Sequence, residues 1–274
     1  MEDARRRLLE LADTVDGRSL AEAALWIAVE AYPELDVRHW LARVEALGRR
    51  ATERVTPDQD VDRAAAAIAR LLFQEAGFRG NAADYYDPRN SFLNAVLERR
   101  LGIPITLSVL FIAVAGAVGL RAAGVGLPGH FVVQVERAGR RRLVDPFHGG
   151  RLLEVADCAA LIARLRPGER FDAGWLRPVT TRHILARMLA NLKAIYVGTG
   201  DWERALGAVD RILLLAPDAH GELRDRGTLH ARLGHGPAAL RDWASYLERA
   251  PGAPDAAAVR EELLALRRRL AARN

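Results

Sequence analysis

One stretch limits this chain more than any other. From Ile103 to Leu120 it runs eighteen residues, "IPITLSVLFIAVAGAVGL", without a single charged side chain. That length lies at the lower edge of what crosses a bilayer. Pro104, Thr106, Ser108, Gly116 and Gly119 dilute it, no second such segment follows, and amphipathic stretches flank it on both sides. A helix apolar on all faces in a chain of this kind is a buried helix, so the reading is a core element and not a membrane span. Proline is favoured at the first helical position, where its missing N–H would be unsatisfied anyway. The helix is therefore predicted to begin at Pro104 and end near Gly119, with free backbone N–H groups and the positive dipole end at its start.

Around it the chain divides into three stretches. Residues 1 to about 75 carry apolar spacings of three and four and predict four helices: Leu8, Leu9 and Leu11; Leu20, Ala24, Leu25 and Ile27; Trp40, Leu41, Val44 and Leu47; Ala67, Ile68 and Leu71. "GFRGNAADYYDPRNSFLNAVLERR" then supplies a loop dense in Gly, Asn, Asp and Pro, leading to a short helix from Asn90 or Ser91. Beyond the buried helix, "HFVVQV" and "RRLVDPF" have strand composition on either side of the turn-like "ERAGR". "GVGLPG" is expected to turn the chain sharply before His130.

The third stretch repeats itself. Gly200, Ala205, Leu206, Leu213, Ala216 and Pro217 recur 34 residues later as Gly234, Ala239, Leu240, Leu247, Ala250 and Pro251. That period, with its glycine before each second helix, resembles the tetratricopeptide helix–turn–helix unit. Fewer than three copies cannot stack into a free solenoid, so the last helix, residues 256–272, is expected to cap them or the repeats to lean on the first domain. The domains are expected to be residues 1–178 and 179–274.

A candidate site lies in the hairpin. In a two-residue loop at Arg137 and Ala138, His130 faces Asp145 directly; in a four-residue loop the two are diagonal neighbours on one face; a three-residue loop would separate them. A carboxylate beside an imidazole orients the ring and fixes its tautomer.

A helix with a small motif at its start, followed by a histidine opening one strand and Asp-Pro closing the next, resembles the transglutaminase-like, papain-type core. More closely, "YYDPRNSFLNAVLERRLGIPITLSVL", "GVGLPGHFVVQV" and "VDPFHGGRLL" look like the SirB-type proteins, which join such a domain to tetratricopeptide repeats. The resemblance implies an α+β domain, a buried helix on an antiparallel sheet behind N-terminal helices, followed by an all-α repeat domain. It also implies a triad, of which His130 and Asp145 match two members. The third, a cysteine at the helix start, falls on Pro104 of Gly102-Ile103-Pro104. Thr106 and Ser108 are the nearest hydroxyls to that point. Cys158, the only cysteine, sits in "VADCAALIARL" and reads as a small buried hydrophobe.

Two functions follow. The favoured one is a catalytically silent, adaptor-like protein whose cleft, lined by Tyr85, Tyr86, Asn90, Ser91, Arg99, Arg100, Pro104, His130 and Asp145, binds a peptide or protein partner together with the repeats. The alternative is a hydrolase or acyl-transfer enzyme in which His130 and Asp145 act on an amide or ester through water or a Thr106 or Ser108 hydroxyl. No cofactor is expected, and no metal. His130, Asp145 and His148 could meet around an ion, but no H-x3-H, H-E-x-x-H or C-x-x-C spacing appears. The net charge of +5 comes from arginines scattered among acidic residues, Lys193 being the only lysine, so no stripe for nucleic acid is visible. One cysteine and no apolar leader fit a reducing cytoplasm.

Overall fold

The computed structural model describes residues 2–272. Two compact units make up the chain, Met1–Met188 and Leu189–Asn274.

The first unit opens with α1 (Glu2–Ala12), α2 (Gly17–Ala28), α3 (Val37–Thr52) and α4 (Val61–Ala69). Three of these starts are set by an aspartate before the apolar run. Asp16 accepts the N–H of Ser19, Asp36 those of Arg38 and His39, and Asp60 that of Arg63, each satisfying donors that a helix leaves open. The loop that follows contains a two-residue strand β1 (Arg79–Gly80) and a 3-10 turn, Pro88–Asn90, before α5 (Leu93–Arg99). A second short strand, β2 (Leu101–Gly102), pairs parallel with β1 and delivers the chain into α6 (Pro104–Ala117).

In α6 every residue from Pro104 to Ala115 is buried. It packs against α2 and α3 on one side and the sheet on the other. Each of its fully buried leucines and Phe111 contributes about 2 kcal/mol from the apolar area it removes from water. Among the described residues no helix is long and apolar enough to cross a membrane. The uncharged run is a core helix.

The sheet is an antiparallel meander, β3 (Arg121–Leu127), β4 (His130–Arg137), β5 (Arg140–Asp145) and β6 (Arg151–Leu153). "GVGLPG" is thus mostly strand, and only Pro128 and Gly129 turn. β4 and β5 pair from Val133 with Val144 to Arg137 with Arg140, so the loop is Ala138 and Gly139. Both have positive φ, 49° and 77°, the signature of a primed turn whose twist matches the strands. This differs by one residue from the Arg137–Ala138 loop that would set His130 directly opposite Asp145. The Gly139 backbone, free to adopt positive φ, fixes the turn one position later.

Side chains alternate across the sheet. One face meets α6: Ile112 shares a cavity with Ala122 and Gly124 of β3. The other face carries Val125, Leu127, Val132, Leu143 and Leu153, which pack with Cys158, Leu161 and Ile162 of α7 (Val155–Leu165). The sheet is therefore covered on both sides.

In the second unit the repeat appears as paired helices. A long helix, α8 (Thr181–Thr199), carries the chain into it, followed by α9 (Trp202–Leu215), α10 (His220–Arg232), α11 (Gly236–Arg249) and α12 (Ala256–Ala271). Gly200 and Gly234 turn the chain into α9 and α11 with φ of 76° and 78°, a left-handed conformation that explains why the repeat keeps glycine there. Val259, Leu263 and Leu266 of α12 close an apolar cluster around Trp243 and Tyr246. Lys193 binds Glu222 at 2.7 Å and Asp225 at 2.9 Å across α8 and α10.

Candidate functional site

His130 is the first residue of β4 and Asp145 the last of β5. In the observed register Asp145 aligns with Val132, so His130 is its diagonal neighbour on the same face. His130 Nε2 lies 3.0 Å from Asp145 Oδ2, and both residues are buried. A 3-10 turn, Pro146–His148, follows Asp145 directly and returns a third polar group to the same point: His148 Nδ1 is 2.7 Å from the same Oδ2. The other carboxylate oxygen, Oδ1, accepts the backbone N–H groups of Phe147 at 3.1 Å and His148 at 3.3 Å. Burial by itself would push the Asp145 carboxyl up. The hydrogen bond and charge of His130, joined by those of His148, outweigh that and hold it below the usual carboxylate value.

Alternation puts His130 and Asp145 on the face of Val132 and Leu143, the face that α7 covers. On that face Asp145 lines a cavity of about 400 Å³ together with His148, Arg151, Leu153, Asp157, Leu161 and Arg164. The N-terminus of α6 is closed by Thr106, whose hydroxyl lies 2.7 Å from the carbonyl of Asn90 and accepts the N–H of Ile103 at 3.1 Å. Thr106 and Ser108 are fully buried, and neither hydrogen-bonds to His130.

Residues expected along the cleft wall separate into two groups. Tyr85 and Tyr86 are exposed and begin a row of ring contacts: Tyr86 to Tyr85 at 5.4 Å, Tyr85 to Phe147 at 6.2 Å, Phe147 to His130 at 6.0 Å and His130 to His148 at 5.6 Å. Phe147 fits because Gly80 leaves space for it; a Cβ there would stand 2.6 Å from the ring. Asn90, Ser91 and Pro104 are buried. Asn90 receives the side-chain amide of Asn81 at 3.1 Å and donates to the carbonyl of Asp84 at 2.7 Å. Arg99 pairs with buried Asp87 at 2.9 Å, which also caps the Pro88–Asn90 turn. Arg100 ends α5 with a positive φ and lines a different cavity with Arg43, Arg50 and Glu75, so it is removed from the site.

Arg187 of α8 is a member of the site that the sequence did not single out. Its Nη2 donates to the carbonyls of Leu127 at 2.9 Å and His130 at 2.7 Å, and its guanidinium lies over the Phe131 ring. Gly126 makes room for it, since a Cβ there would be 2.9 Å from Nη1. Burial lowers the Arg187 pKa, and among the described residues it pairs with no carboxylate. Only its distance along the chain hid it. Cys158 is fully buried in α7, and burial first, then the charges of Asp157 and Asp145, push its thiol up to about 11.

A buried helix on an antiparallel meander, with a histidine and an aspartate joined across adjacent strands, defines a transglutaminase-like domain. A model of the transglutaminase-like superfamily matches residues 38–190, and a tetratricopeptide-repeat model matches residues 192–264. The UPF0162 protein of Xylella fastidiosa (strain Temecula1) is 41% identical over 262 residues, covering 92% of each chain. That of Vibrio cholerae is 29% identical over 261 residues, covering 94% of this chain and 97% of the relative. F-box only protein 21 of Mus musculus is 30% identical over 179 residues, 61% of this chain and 28% of that protein. No solved structure matches. The chain belongs to the UPF0162 family of transglutaminase-like proteins that carry tetratricopeptide repeats.

Proposed function

We propose that this chain, SirB-type by its motifs, is a non-catalytic cytoplasmic adaptor that binds a peptide or protein segment, through the site of its first unit and through its repeats. The observation that carries this reading is the fate of the nucleophile. By the family resemblance Pro104 falls where the cysteine would stand, the Thr106 hydroxyl is spent on Asn90 and Ile103, and the Cys158 thiol is buried with its pKa raised. His130 is oriented by Asp145, and among the described residues no thiol or hydroxyl hydrogen-bonds to it. Binding is supported by the exposed and half-buried rings of Tyr86, Tyr85, Phe147 and His148, set around buried His130, which offer amphipathic area at small entropic cost. Paired helices of the tetratricopeptide kind build concave surfaces suited to the same task.

The test is a peptide-library selection on the immobilised full chain, with hydrolysis of activated esters and glutamine amides measured in parallel. The expected outcome is selected peptides whose affinity falls at least tenfold in Tyr85→Ala, with no turnover above background. Ester or amide turnover that disappears in His130→Ala would instead establish the hydrolase alternative, with water as the nucleophile.

A further inference from the structure

We propose that His130, Asp145 and His148 form a binding site for a divalent transition-metal ion of the zinc class. His130 Nε2, His148 Nδ1 and an oxygen of Asp145 lie within 4.8 Å of one another, and among the described residues this is the one group of three such ligands. More telling is their orientation: both imidazoles direct a ring nitrogen at the same atom, Oδ2, at 3.0 and 2.7 Å. Oδ1 meanwhile is held by two backbone N–H groups, which fixes the carboxylate plane and leaves Oδ2 turned toward the rings. This is the outer support that metal-ligating carboxylates need.

The ligand chemistry selects the ion. Two imidazoles and one carboxylate suit zinc and the later first-row divalent metals, whereas calcium and magnesium prefer oxygen throughout. Neutral rings can bind without losing a net proton, each moving its N–H to the nitrogen remote from the ion: Nδ1 for His130 and Nε2 for His148. His130 Nδ1 has no hydrogen-bond partner among the described residues, so nothing opposes that tautomer. Burial fixes the His130 ring, while His148 is about half exposed and can adjust to close the ligand set. The cavity of about 400 Å³ opens on Asp145 and His148, leaving space for a further ligand. Asp157 in that cavity is paired with Arg151 at 2.6 Å, so the open position falls to water or to a ligand oxygen. Lack of an H-x3-H or similar spacing hid the group in the sequence, because its members come from two strands and a turn.

This inference does not rest on peptide binding, and its test contains no peptide. Zinc chloride is titrated into the chelator-treated full chain by calorimetry, and cobalt(II) is added separately to read its visible d–d bands. The expected result is one saturable site per chain, cobalt bands of a four- or five-coordinate ion, and zinc affinity at least tenfold weaker in His148→Ala. Because His148 is half exposed, that variant should keep its far-UV circular dichroism and melting temperature. His148→Gln provides a second measurement if it does not. His230 and His235, whose Nδ1 atoms lie 3.3 Å apart in the second unit, are the competing pair, and His235→Ala should leave the affinity unchanged. Absence of saturable zinc binding, or binding lost in His235→Ala and kept in His148→Ala, would overturn the proposal.

Discussion

His130 and Asp145 stand two positions out of register across the β4–β5 hairpin, yet a 3.0 Å hydrogen bond joins them. Diagonal neighbours on one face of a twisted pair are within reach of an imidazole, and the bond is buried where water cannot compete for it. Asp145 serves at once as acceptor for two rings and as cap of the turn that carries the second ring.

Asp145→Asn should therefore cost about 2 kcal/mol, because it replaces charge-assisted bonds with weaker ones and leaves ring nitrogens partly unpaired. Urea unfolding measures the loss. The His130 ring resonances should shift in the same variant; unchanged resonances would mean that the two side chains do not meet in solution.

Cys158 should resist thiol reagents in the native protein. Its thiol is fully buried with a pKa near 11, so almost no thiolate exists at neutral pH. Labelling with an aromatic disulfide should be slow and should become rapid and stoichiometric in denaturant. Fast native labelling that His130→Ala abolishes would revive a thiol mechanism.

Thr106→Val keeps the shape of the side chain and removes its hydroxyl. The carbonyl of Asn90 and the N–H of Ile103 would then lose a partner in the interior, at a cost of about 1–3 kcal/mol in unfolding free energy. Any activity attributed to His130 should survive in this variant once stability is accounted for. Selective loss of turnover would mean that Thr106 is a nucleophile after all.

Asp87 should make the first unit acid-sensitive. Burial by itself raises its pKa, but hydrogen bonds from Arg89 and the charges of Arg99 and Arg89 outweigh it, and the folded-state pKa lies below the ordinary value. Its contribution is thus fully present above the unfolded pKa of about 4 and is lost as pH falls through the folded value. Asp87→Asn should be less stable at pH 7 and should show a flatter decline below pH 4, followed by thermal unfolding across that range.

The sequence by itself settled much of the local structure. Proline at a helix start, apolar spacing of three and four, and the glycine that each 34-residue repeat keeps in its turn all act within a few residues. Strand alternation alone left open whether His130 and Asp145 share a face; the two-residue loop of the folded hairpin, whose even length preserves parity, decided it. What the sequence could not settle depends on elements far apart in the chain. The turn at Gly139 set which residues align, α7 set which sheet face the pair occupies, and the 3-10 turn brought His148 onto the oxygen already bound by His130. Arg187 reaches the carbonyl of His130 across 57 residues. Burial of Asn90 and Pro104 likewise followed from packing. Local pattern states which residues can share a surface; only close packing of distant segments decides which surfaces meet and which polar groups are left to face one another.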